Sequence, residues 1–197
     1  AVYEDYFVQL SEAGFTNVRI PVDFYSGGFL NPDYSINGSE RSNINIEGCT
    51  RNNCFSSEAN TFSNYEGSLD DYSVNEDYLD RVQQIVDWAI TYNIIVVLDF
   101  HGNNLKQEFV YTFENEEING VNYYTNPTSA KRLADINRFK SIWRDISNRF
   151  KDYSTNSLVF DLINEPYFSI SANEMNDLNL SLIEIVRASG SNNLTRS

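Results

Sequence analysis

Histidine and methionine occur once each in 197 residues, and cysteine and tryptophan twice each. A single histidine rules out a histidine-rich metal site, and no His/Cys/Asp spacing suggests another kind, so neither a metal nor a cofactor is expected. Basic residues are also scarce: 14 stand against 28 acidic ones, for a formal net charge of −14. Such a surface repels nucleic acid and anionic membranes, and neither is expected as a partner. A neutral polymer such as a glycan meets no such repulsion. No apolar run approaches the ~20 residues needed to span a bilayer. No leader peptide is visible. No G-x-G-x-x-G or P-loop follows any strand candidate, which argues against a nucleotide-binding fold. There is no internal repeat of fixed period.

What is present is 41% hydrophobic residues, enough for one sizeable core and a single domain, with 13 Tyr and 13 Phe. The opening Ala1-Val2-Tyr3-Glu4 reads as the middle of a helix, and Arg196-Ser197 carries no stop signal, so both ends are expected to be internal to a longer protein. Cys49 and Cys54 lie five positions apart in a polar loop. In an oxidising compartment they are expected to form a local disulfide; in a reducing one they are two free thiols. Asn-x-Ser/Thr sequons at Asn37, Asn179 and Asn193 add weak support for secretion.

Three units repeat the order strand, loop, helix. Phe7, Val8, Leu10 and Ala13 predict a helix that stops at Gly14, followed by a strand over Thr16–Val22. Tyr78, Leu79, Val82, Ile85, Val86, Ala89 and Ile90 recur at helical spacing before a strand over Ile94–Phe100, and Ser73 with Glu76 has capping-box spacing at that helix's start. Leu133, Ile136, Phe139, Trp143, Ile146 and Phe150 form a third apolar helix face before a strand over Ser157–Ile163. A last helix is expected from Ser171 and Glu174, again a capping-box pair, to about Gly190. Near-continuous apolar strands alternating with helices predict a parallel sheet buried on both faces.

Helix-to-strand turns are short, whereas the strand-to-helix connections, roughly 23–72 and 102–127, are long. The elaboration therefore lies beyond the C-terminal strand ends, where both barrels and doubly wound sheets bind ligands. The stretch 26–71 is either a surface insertion or a loop walling a cleft. Each strand also ends in polar residues: Arg19, His101, and Asn164 with Glu165. Singly these read as a salt-bridge partner, a core histidine and a helix cap. At corresponding ends of three successive strands they read as a site.

The segment Phe160-Asp161-Leu162-Ile163-Asn164-Glu165-Pro166 resembles the Asn-Glu-Pro signature of retaining glycoside hydrolases. Gly14 to Val22 is similar to the second strand of glycoside hydrolase family five, Val96 to His101 to its third, and Tyr78 to Ile90 to the helix between them. The resemblance implies a partial (β/α)8 TIM barrel, an α/β fold, running from about helix one to helix four with strands two to four. Residues 1–197 would be part of the catalytic domain, with an insertion at about 23–74. It implies Glu165 as general acid/base, Asn164 as the residue bonding the sugar 2-hydroxyl, Arg19 as support for the nucleophile, and His101 lining the subsite at the cleaved bond. The nucleophile, a glutamate on strand seven, would lie beyond this fragment, which alone would be inactive.

Retention needs one carboxyl to protonate the leaving oxygen and later activate water, in a protected pocket near a second carboxylate. Asp99 and Asp161 face inward but lie deeper, and Asp161 is expected as a partner for an active-site cation. Among loop aromatics, Tyr25, Phe29, Tyr34, Tyr123, Tyr124, Tyr167 and Phe168 could stack on sugars or simply pack. The expected activity is a secreted endo-β-1,4-glucanase acting on a polysaccharide, monomeric when complete. The alternatives are a β-mannanase or xyloglucanase, or a non-catalytic carbohydrate-binding barrel.

Overall fold

The computed structural model describes residues 2–24, 44–46, 69–74, 76–102, 105–106, 109, 117–118, 121–122 and 130–196. Its elements in chain order are α1 (Glu4–Glu12), β1 (Asn17–Val22), β2 (Ile44–Ile46), β3 (Tyr72–Val74), α2 (Glu76–Thr91), β4 (Ile95–Phe100), β5 (Glu117–Ile118), β6 (Val121–Asn122), α3 (Ala130–Phe150), β7 (Leu158–Asp161), α4 (Ala172–Ala188) and β8 (Leu194–Arg196). Tyr3 is extended, so α1 starts at Glu4 and the residues before it do not continue a helix. That helix ends where Gly14 adopts φ +84°, a left-handed turn that a Cβ would strain.

β1, β4, β7 and β8 form one parallel sheet in the order β1-β4-β7-β8. The three predicted strands are all present, and β8 adds a fourth. Helices cover one face. Val96, Leu98, Phe100, Leu158 and Phe160 point there and are fully buried. Trp143 packs on Phe160 with ring centroids 5.3 Å apart, and Phe139 on Phe100 at 5.0 Å. The other face carries Arg19, Pro21, Val97, Asp99, Val159 and Asp161, as the register requires. The expectation of burial on both faces fails here. Val97 and Val159 are only half-buried, because no described strand faces them as the far wall of a closed barrel would.

On α2, Tyr78, Leu79, Val82, Val86 and Ala89 are buried as predicted. On α3 the apolar face holds from Phe139 to Phe150, but Leu133 is 50% exposed. Arg132 and Asp135 take the buried positions of that first turn, Arg132 pairing with Glu174 on α4. The expected capping box at α2 is not formed. Ser73 lies in β3, paired with Asn45 of β2, and Glu76 pairs with Arg149 of α3 instead.

Short stretches of the long connections are among the described residues. β2 and β3 form an antiparallel ribbon at the end of the 23–74 insertion. Val74 N donates to Asp145 Oδ2 (2.8 Å) and Arg144 Nη1 to Leu69 O (2.8 Å), fastening that ribbon to α3. β5 and β6 make a second small antiparallel pair between β4 and α3. Cys49, Cys54, Asn37, Tyr25, Phe29, Tyr34, Tyr123 and Tyr124 lie outside the described residues.

Candidate active site

Parallel register places Asp99, Asp161 and Arg196 side by side in one row across β4, β7 and β8. Arg19 does not sit at the end of β1 as expected. It pairs in register with Val97, mid-strand, and its long side chain reaches toward the row. Arg19 Nε and Nη2 both donate to Asp161 Oδ2 (3.0 and 2.9 Å), and Nη2 also donates to Asn164 Oδ1 (2.7 Å). Nη2 lies 3.1 Å from Asp99 Oδ1, an ion-pair contact without hydrogen-bond alignment. Arg196 Nη2 is 3.1 Å from Asp161 Oδ2.

His101 completes a ring of contacts. Its Nδ1 is 2.9 Å from Asp99 Oδ2, and its Nε2 is 3.5 Å from Asn164 Nδ2. The neutral tautomer with the proton on Nδ1 satisfies both: Nδ1–H donates to Asp99, and Nε2 accepts from Asn164. Arg19 takes the Asn164 oxygen, which turns the amide nitrogen toward His101. Burial holds the Asp99 carboxyl above its ordinary value, and the His101 hydrogen bond and the Arg19 charge offset only part of that rise. The structure thus brings Arg19, His101 and Asn164 together, with Glu165 the next residue in the chain. Glu165 is exposed and has φ +42°. The protected pocket expected around it is not formed by the described residues.

After β4 the chain turns at Gly102, with φ +41°, where a Cβ would fall 2.2 Å from the Phe100 ring. That turn carries Lys106 beneath the site, 2% exposed, its Nζ donating to Asn164 O (2.8 Å). Sequence reasoning passed over Lys106 and Arg196. The available signal for Lys106 was its isolation as the sole Lys or Arg between positions 102 and 127. Of the aromatics on this side, Phe168 is buried against Phe109 (5.1 Å), whereas Tyr167 is 53% exposed.

The family model for cellulase (glycosyl hydrolase family 5) matches residues 2–195. The chain belongs to this family. Endoglucanase A of Paenibacillus barcinonensis is 28% identical over 144 residues, covering 69% of this chain and 32% of that protein. Endoglucanase H of Acetivibrio thermocellus is 29% identical over 116 residues, covering 59% of this chain and 10% of that protein. An endoglucanase from the hyperthermophile Thermotoga maritima superposes with a TM-score of 0.59 at 18% identity, covering 99% of this chain and 43% of that one. That likeness carries the fold, and the four-stranded parallel sheet with its helices is part of a (β/α)8 barrel. The chain spans between 10% and 35% of the curated relatives it matches. Within the family frame, the ring of polar contacts sits at the C-terminal ends of the strands, the face where such barrels hold their chemistry.

Proposed function

We propose that this chain supplies the acid/base half of a secreted, retaining endo-β-1,4-glucanase. Glu165 protonates the leaving glycosidic oxygen and then activates water, and a glutamate outside these residues acts as nucleophile. Asn164 binds the sugar 2-hydroxyl, His101 lines the same subsite, and Arg19 supports the nucleophile. The observation that carries the reading is the ring Arg19–Asn164–His101–Asp99. It fixes one amide face beside an exposed carboxyl at the strand ends. Asp99 and Asp161 are committed to Arg19, His101 and Arg196, so neither is free to attack an anomeric carbon. Retention requires a second carboxyl ~5–5.5 Å from Glu165, which the reading places elsewhere in the barrel. Because a polymeric substrate stays outside the cell, the same reading makes export the expected route.

In the complete enzyme, Glu165→Gln should lower turnover of a β-1,4-glucan by ~10²–10⁴-fold. An activated aryl glycoside, whose leaving group needs no proton, should lose far less in its first step. Paired assays on the two substrates make the check. Unchanged polysaccharide turnover would sink the assignment.

A further inference from the structure

Lys106 is a buried cation that the scheme above leaves without a task. Its backbone N–H donates to Gly102 O (2.9 Å), fixing it one turn past His101. Burial lowers its pKa from the ordinary 10.5, and the carboxylates of Asp99, Glu165 and Asp23 oppose that fall. Its Nζ also stands 5.5 Å from the centroid of the Tyr167 ring. Desolvating an ammonium is expensive, so its hydrogen bond from Nζ to Asn164 O at 2.8 Å matters. That carbonyl belongs to the peptide joining Asn164 to Glu165. The torsion about the N–Cα bond of Glu165, where φ is +42°, relates the plane of that peptide to the Glu165 side chain, so a grip on the carbonyl constrains how the side chain is presented. A non-glycine residue holds such a conformation at an energetic cost and only when its surroundings enforce it. Here Asn164 N donates to Phe100 O (3.0 Å) on one side while Lys106 grips Asn164 O on the other.

We propose that Lys106 is a positioning residue for Glu165, its bond to the Asn164 carbonyl holding the Glu165 backbone in the left-handed conformation that presents the carboxyl at the strand ends. The inference rests on the acid/base reading of Glu165. Lys106 touches no substrate in this scheme, and its whole effect passes through the carboxyl it places.

The test is a four-way comparison in the complete enzyme: wild type, Lys106→Met, Glu165→Gln and the double variant. Misplacement of a reacting group by about an ångström costs on the order of 10²-fold, so Lys106→Met should lower kcat on polysaccharide by ~10–100-fold with KM changed less than ~3-fold. Turnover of an activated aryl glycoside should fall less. In the Glu165→Gln background, Lys106→Met should add less than ~3-fold, because the side chain it positions has no proton left to give. If Lys106→Met does not fold by circular dichroism, Lys106→Gln, neutral and one atom shorter, carries the same comparison. Fully additive losses, a loss confined to KM, or unchanged turnover would each overturn the inference. Should Glu165→Gln itself leave polysaccharide turnover intact, the acid/base reading fails first. Additivity on top of a crippling Glu165→Gln defeats the Lys106 inference alone.

Discussion

At the residue scale, Asn193 shows how a surface motif in sequence becomes a structural device in three dimensions. Its Nδ2, the atom a glycan would occupy, donates to Leu158 O at 2.8 Å, and its Oδ1 accepts from Ser191 Oγ at 2.8 Å. The residue is fully buried between the end of α4 and the start of β7. Asn179 lies within α4 with its Oδ1 buried. Folded protein secreted by a eukaryotic host should therefore carry no glycan at Asn193, and Asn193→Ala should cost ~1–3 kcal/mol by leaving buried polar groups without partners. Peptide mapping of that material under non-reducing conditions reads the sequon, and it also reads whether Cys49 and Cys54 are joined. A substantial glycan on Asn193 in folded, soluble protein would contradict the structure.

At the scale of elements, two pairs of identical spacing had opposite outcomes. Ser171 caps α4 by accepting from Glu174 N, and the Glu174 carboxylate accepts in return from Ser171 N (3.2 Å). Ser73 and Glu76 look the same in sequence, yet β2 captures Ser73 and Arg149 captures Glu76. Local chemistry was legible where nothing distant competed for it, and illegible where a ribbon closed from 26 or more residues away. The site divides in the same way. Arg19, His101, Asn164 and Glu165 stood out because they are polar residues in or just beyond apolar strands, although Arg19 lies mid-strand and not at the end with the others. Lys106 and Arg196 did not, because their meaning arises only from cross-strand register and from a loop folding beneath the sheet.

The α4 cap yields a pH prediction. Hydrogen bonds from Ser171 and the Arg132 partner hold the Glu174 carboxyl below its ordinary value of 4.5. A depressed folded pKa contributes stability above the unfolded value, and that contribution is lost as pH falls through the folded one. Ser171→Ala should cost about 1 kcal/mol near neutrality. The difference between wild type and Glu174→Gln should shrink as the pH falls below the ordinary carboxylate value and through the depressed folded one, where both carry a neutral side chain. Urea unfolding of the complete protein across that range supplies the measurement. A gap that stays constant with pH would mean that Glu174 acts through packing rather than charge.

At the scale of the whole molecule, the sheet order decides what a polypeptide limited to these 197 residues can do. β1 and β8 are the outer strands, and among the described residues neither has a second neighbour. Open edges of parallel strands present unpaired N–H and C=O groups that template association with other chains. The inner face adds to the exposure, for the side chains of Val97 and Val159 meet no opposing strand among the described residues and the side chain of Arg19 is 39% exposed. At the ends of the structure Phe15 and Leu194 are 58% and 61% exposed. The helical face, by contrast, is closed over a continuous core from Phe7 to Val186. Expressed alone, this polypeptide should show helical circular dichroism, bind a hydrophobic dye and self-associate on concentration. It should have no hydrolase activity, since among the described residues the two inward carboxylates are both bound to arginine and no further one is placed to work with Glu165. Analytical ultracentrifugation, dye fluorescence and a reducing-sugar assay on the same preparation test this. A monomeric, cooperatively unfolding and active 197-residue protein would place the nucleophile within this chain and overturn the division of the two carboxylates between the two parts of the barrel.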